Sequence, residues 1–319
     1  MSTILSITNP VAVPDQKSAI RRKELGHRIR VFVCALLAMG IVVAVAAYGF
    51  DYYVLSAADR PFSPKHYLLR PSGRIGIDLG VLGVALFLAI FVYPLRKRIR
   101  WLGKIGSSKH WLDFHIVFGL TAPVIIAFHS SFKFNGIAGM AFWIMSAVAL
   151  SGIVGRYIYA QIPRSLNDAE ISLKELEAAD SDLMRELADQ TVLSLSDLDP
   201  LLRLPSNEEV RDMPAVRAML LVLALDIARP FHVARLRARV LSLGGLMVSF
   251  GGLLRTSNRE LERVVDAARA KSSLSKRIVF LSRTQQVFHL WHVVHRPFSY
   301  SFAVLAVIHI AVVTMLGFM

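Results

Sequence analysis

An all-α, polytopic membrane helix bundle of about five spans with a helical insert is the fold this sequence predicts, and three observations predict it. Hydrophobic residues make up 54% of the chain and charged residues 19%, with a mean hydropathy of +0.49, outside the usual range for soluble domains. Five apolar runs each approach the ~20 residues needed to cross ~30 Å of hydrocarbon. A long polar stretch between the fourth and fifth runs carries apolar residues at helical spacing.

The first span is expected at 31–50, after a basic stretch at 17–30 that is too long for a signal-peptide n-region, so the span is read as uncleaved. The second follows at 75–95, the third at 114–132, the fourth at 137–160 and the fifth at 297–319. This divides the chain into a basic cytoplasmic segment (1–30), a four-span bundle (31–160), a cytoplasmic helical insert (161–286) and a final span (287–319). Short loops rich in Lys and Arg stay inside. Two such loops fall on one side under alternation: 17–30, and 96–109 with Arg96, Lys97, Arg98, Arg100, Lys104, Lys109 and no acid. The expectation is an integral protein of a bacterial cytoplasmic (inner) membrane, amino terminus inside and carboxyl terminus outside. The third and fifth spans then both run outward.

The insert is divided by charge. Acids dominate 165–212, including Asp168, Glu170, Glu175, Asp180 and Asp182, whereas bases dominate 217–283, including Arg229, Arg235, Arg237, Arg239 and Arg255. Ile171, Leu173, Leu176, Leu183, Met184 and Leu187 follow the caps Ser165 and Asn167 at helical spacing and predict one amphipathic helix. The apolar segments 215–228 and 240–254 would each span only about 22 Å as helices, and Arg217 and Asp226 interrupt the first, so both are read as interfacial or core helices.

The formal net charge of +14 gathers beside apolar runs, which points to membrane lipid and fixed topology and away from nucleic acid. A single cysteine, Cys34, excludes an internal disulfide framework, a Cys-ligated iron–sulfur cluster and a C-x-x-C-H haem attachment. The pairs Gly244/Gly245 and Gly251/Gly252 lack the spacing of a dinucleotide fingerprint, so no flavin or NAD is expected in this chain.

Ionisable residues inside spans are costly and mark function by default. Four histidines stand there: His115 and His129 on the third span, His295 and His309 at the start of and within the fifth, each pair fourteen residues apart. Fourteen residues turn through about 1400° and rise about 21 Å, so each pair faces one direction. With the two spans parallel, His115 comes level with His295 and His129 with His309, giving two opposed imidazole pairs. A neutral imidazole is a good axial ligand for haem iron, and facing helices are where such cofactors are built. Two haem b are therefore expected, with iron held by His115/His295 and by His129/His309. His110, His289 and His292 compete, but seventeen residues from His292 to His309 rotate the pair about 100° off a common face. These three are read as interfacial.

Gly119, one turn after His115, would give room for a macrocycle, and Pro123 should kink the third span between its ligands. Arg156 and Arg296 are candidates for propionates at the inner site, and Lys133 with Ser130 or Ser131 at the outer one. Asp78, near the outer end of the second span, is a candidate for proton or quinone contact.

The fragments H-I-V-F-G-L-T-A-P-V-I-I-A-F-H-S (115–130), S-G-I-V-G-R-Y-I-Y (151–159) and W-H-V-V-H-R-P-F (291–298), with His309, resemble the ferric reductase-like and NADPH oxidase-type transmembrane cytochromes b. The likeness covers roughly 111–159 and 291–319. It implies paired histidines on the third and fifth spans, two stacked haems and an electron conduit. Complete reductases of that kind carry a flavin and nicotinamide domain after the last span, and the insert here has no counterpart in them. The resemblance therefore implies the electron-transfer component of a complex: a separate reductase or dehydrogenase docking on the insert, and an outer-side acceptor such as ferric iron, oxygen, a periplasmic carrier or a quinone. Two other readings are a quinone-linked anchor subunit of a larger oxidoreductase and a non-redox metal or proton transporter or scaffold.

Overall fold

The computed structural model describes residues 14–96, 98–162 and 171–317. Lys97, the caps Ser165 and Asn167, and Met319 lie outside the described residues. The described chain is helical, with no strand among the described residues. Five helical stretches are long and apolar enough to cross a membrane: Arg22–Tyr53, His66–Arg96, Ser108–His129, Gly136–Gln161 and Leu281–Met315. The protein is thus a membrane helix bundle. Two compact units divide it, 1–153 with 297–319, and 154–296.

The first unit begins with α1 (Pro14–Tyr53), whose opening proline suits a first helical turn, where its missing N–H would have had no partner. The basic stretch 17–30 is therefore helical and continuous with the first span. A 3-10 turn (Arg60–Phe62) and α2 (His66–Leu69) lead into α3 (Arg74–Arg96). α4 (Arg100–Gly103) then precedes α5 (Ser108–His129) and α6 (Gly136–Gln161). Two buried arginines close the connecting loops. Arg60 donates to the carbonyls of Leu55, Tyr53 and Ser131, and Arg96 to those of Gly103, Ile105 and Gly106 and to the Ser108 hydroxyl. Leu79, Ile125 and Phe128 form the buried core, with Val42, Val45 and Ala46 of α1 packed on it, so α1, α3 and α5 share one apolar centre. The remaining faces are apolar and exposed, as at Phe32, Leu37 and Phe50, which suits helices solvated by lipid.

The second unit holds α7 (Ile171–Asp189), α8 (Leu195–Leu202), α9 (Asn207–Asp212), α10 (Ala215–Val240), α11 (Leu243–Val248) and α12 (Arg259–Val279), with the end of α6 and the start of α13 (Leu281–Met315). Each short helix is started by a side chain that accepts a backbone N–H: Ser194, the Ser206–Glu209 capping box, and Ser242. α12 buries Leu261, Val264, Val265 and Ala268 on one face against Leu187, Leu198 and Val233. The charge division in the sequence is internal to this unit, because Asp180 pairs with Lys271 and Asp197 with Arg239.

Asp226 ties α6, α10 and α12 together. It accepts from Tyr157 Oη (2.8 Å), Gln161 Nε2 (3.0 Å) and Lys276 Nζ, and pairs with Arg229 (3.1 Å). These bonds draw residues 154–161 into the second unit, so its boundary falls inside α6.

The structure extends two of the expected segments and corrects a third. The helix that carries the fifth span, α13, starts at Leu281, ahead of Pro297, which sits inside it and removes one helical bond without ending the helix. The segment 215–228 is the first half of a 26-residue helix. The segment 240–254 is not one helix, because only Leu243–Val248 is helical before Phe250, Gly251 and Gly252 take left-handed backbone angles.

A buried bidentate pair, Arg237 Nε and Nη2 to Glu262 (2.8 and 2.6 Å), joins α10 to α12. Burial works against the Glu262 carboxylate, but the Arg237 fork and the Thr256 N–H outweigh it and hold its pKa below the usual value. A depressed carboxyl pKa stabilises the folded state above the unfolded pKa, and that contribution fades as pH falls through the folded value. Arg237→Ala, which strands Glu262, should therefore cost about 3–5 kcal/mol. It should also expose 241–258 to trypsin and lower the thermal midpoint of the purified protein. Unchanged proteolysis would show that the pair is not what joins the two helices.

Candidate functional site

α5 carries two intramembrane histidines, and α3 receives both. His115 Nδ1 lies 3.0 Å from the carbonyl oxygen of Ile90, and His129 Nδ1 lies 2.7 Å from that of Gly76. The two acceptors are fourteen residues apart on α3, as the histidines are on α5, and run in reverse order. The antiparallel helices therefore make the same contact twice. A carbonyl only accepts, so Nδ1 carries the proton in each ring. In the neutral tautomer that makes this bond, Nε2 is the nitrogen with the lone pair.

The local sequence explains why α3 can receive them. Pro94 has no N–H, so the carbonyl of Ile90, four residues earlier, lacks its helical donor and is open to His115. Tyr93 flanks the same ring, with centroids 5.3 Å apart. At the other end Gly76 and Gly80 place two positions without side chains one turn apart on α3. A Cβ on Gly80 would stand 2.8 Å from Cε1 and 2.9 Å from Nδ1 of His129, so only glycine admits the ring there. His129 is the last residue of α5, and the chain turns immediately after it through positive φ at Ser131 and Phe132.

His309, half-buried on α13, lies within electrostatic reach of His129, and both belong to the first unit. One of the expected pairs therefore falls within a single unit. His115 and His295 belong to different units. Within the second unit, His295 stacks on Trp291 (centroids 4.4 Å, planes 29° apart), and Trp291 lies so close to Gly155 that no Cβ would fit between them. His295 is therefore held by an aromatic platform.

A Cβ on Gly119 would meet no atom within 4 Å. Pro123 leaves the Gly119 carbonyl without its helical donor. Lys133 and Arg296 are exposed, and Arg156 is half-buried on α6. Ser130 and Ser131 do not stand beside Lys133 as free hydroxyls. Ser130 donates to Ala127 O (3.0 Å) and buried Ser131 to Leu69 O (2.7 Å). Asp78 is exposed on α3.

The competing histidines have partners of other kinds. His292 Nδ1 contacts its own helix at Phe288 O (3.0 Å), and His289 is exposed. His110 stacks on His27 (3.7 Å) and reaches Glu24. His27, only 2% exposed, bonds Asp113 Oδ2 at 3.0 Å. Sequence reasoning missed His27 because the basic stretch around it reads as a topology signal. Its spacing from Glu24, one helical turn, is the trace that was available. Among the described residues no three His, Cys, Asp or Glu side chains converge to hold a metal ion. Two imidazoles on α5 held through Nδ1, with a glycine opening beside one of them, have the donor type that a nitrogen-ligated group would require. Comparison of the chain with protein-family models, curated proteins and solved structures finds no match.

Proposed function

We propose that this chain is a di-haem b-type membrane cytochrome, the ferric reductase-like electron-transfer component of a complex, moving electrons across the bilayer between a cytoplasmic-side donor and an outer-side acceptor. The repeated contact of His115 and His129 with the α3 carbonyls is the observation that carries this reading. A histidine used only for helix packing has no need of a fixed tautomer, whereas a metal-ligating histidine commonly donates its second nitrogen to a carbonyl, which fixes the ring and raises ligand basicity. His115 with His295 forms the inner pair in this proposal and His129 with His309 the outer. Haem iron between two imidazoles supplies one-electron chemistry when bound. The protein's own contribution is to hold the rings, keep Nε2 unprotonated and exclude water with the apolar faces of α3 and α5.

Lys17–Arg30 and Arg96–Lys109 support an amino terminus inside. The insert, closed by its own ion pairs, is the proposed docking body for a separate reductase. The test is spectroscopic. Protein purified after expression with ample haem should give a b-type reduced-minus-oxidised spectrum and two haems per chain. A folded but colourless preparation would overturn the proposal.

A further inference from the structure

The loop that joins α10 to α12 exposes an apolar tip on a rigid base. Met247 is 84% exposed and Phe250 73%, with Leu253 and Leu254 beside them more than half exposed. Such a surface on a mobile loop would carry little meaning, but this loop is fixed. Buried Arg237 donates Nη1 to the carbonyls of Gly252 (3.0 Å) and Leu253 (3.2 Å) while its other nitrogens hold Glu262. Ser249, 2% exposed, accepts from the Gly252 N–H at 3.1 Å. Gly252 takes φ +86, and a Cβ there would strike the Ala234 carbonyl of α10. The turn is therefore built to present its side chains outward.

We propose that residues 243–254 form an interfacial anchor that inserts Met247, Phe250, Leu253 and Leu254 into the acyl boundary of an anionic leaflet. Charge and tethering favour lipid over a protein partner. Residues 229–263 contain seven arginines against two glutamates, and exposed Arg235, Arg239, Arg255 and Arg259 flank the tip on both limbs. Arg239 and Arg255 also pair with Asp197 and Asp266, so Arg235 and Arg259 supply the uncompensated charge facing phosphate headgroups. An apolar tip ringed by arginine is the composition of an interfacial element. The insert is covalently joined to spanning helices at both ends, which keeps a bilayer at high effective concentration around it. This inference is independent of the haem proposal.

The unique cysteine makes the test direct. On a Cys34→Ala background, Met247→Cys, Phe250→Cys and, as control, exposed Glu208→Cys are each labelled with an environment-sensitive fluorophore. The full-length protein is then placed in nanodiscs of phosphatidylcholine with or without phosphatidylglycerol, carrying spin-labelled acyl chains. Probes at 247 and 250 should be quenched several-fold more than the probe at 208, and adding Arg235→Glu with Arg259→Glu should reduce that quenching in the anionic discs only. Equal quenching at all three sites would overturn the proposal. So would blue-shifted but unquenched emission at 247 and 250, which would mean that protein, and not lipid, covers the tip.

Discussion

His129→Ala is expected to lower the haem content of the purified protein from two per chain to one, with the spectrum of the retained haem unchanged. The substitution removes a ring that bonds the Gly76 carbonyl and lies against Gly80. The buried packing of α5 is carried instead by Ala122, Ile125 and Phe128, which stay in place. His129 also ends its helix, so alanine there disturbs no downstream turn of α5. His309→Ala should remove the same haem, and the double variant should lose no more than either single one, since both break one site. Haem quantification by pyridine haemochrome decides it. Retention of two haems in His129→Ala, or additive loss in the double variant, would dissolve the His129/His309 pairing.

Much of this architecture could be read from residues alone. The run 75–95 is bounded by Arg74 and Arg96, and the helix ends at those residues because the hydrocarbon-length signal and the charges coincide. The fourteen-residue spacing was equally visible, because helical period is a local property. What escaped depended on tertiary register. Pro94 and Gly80 carry no sign of a site until α3 is laid antiparallel on α5 and each is found beside a histidine contact. Neither hydropathy nor spacing within one helix contains that register. Residues 281–296, ahead of the span expected from Pro297, are helical and pack Phe288 and Trp291 against α6 through Tyr159 and Gly155, contacts that hydropathy does not contain. The glycine pairs near 244–252 lack the spacing of a nucleotide motif, and the turn-forming role of Gly251 and Gly252 becomes visible only when the backbone angles are known.

Gly80→Val should act on the outer pair from the opposite helix, without touching a ligand. A Cβ at that position stands under 3.0 Å from two atoms of the His129 ring, and a β-branched side chain adds two methyl groups to the same face. The ring has one way to yield, which is to swing off α3, and doing so breaks the 2.7 Å bond from Nδ1 to Gly76. The imidazole then loses both its orientation and the hydrogen bond that fixes its tautomer. Loss of such an outer partner typically weakens metal affinity by about 10–100-fold. Gly80→Val protein should therefore shed one haem on dilution while the other remains bound, and Gly80→Ala should do so less completely. Pro94→Ala supplies the reciprocal case. It returns an N–H that competes with His115 for the Ile90 carbonyl, and its effect should fall on the other haem. If Gly80→Val and Pro94→Ala perturbed the same haem, α3 would not be setting the two sites separately, and the repeated carbonyl contact would be helix packing with no bearing on ligation.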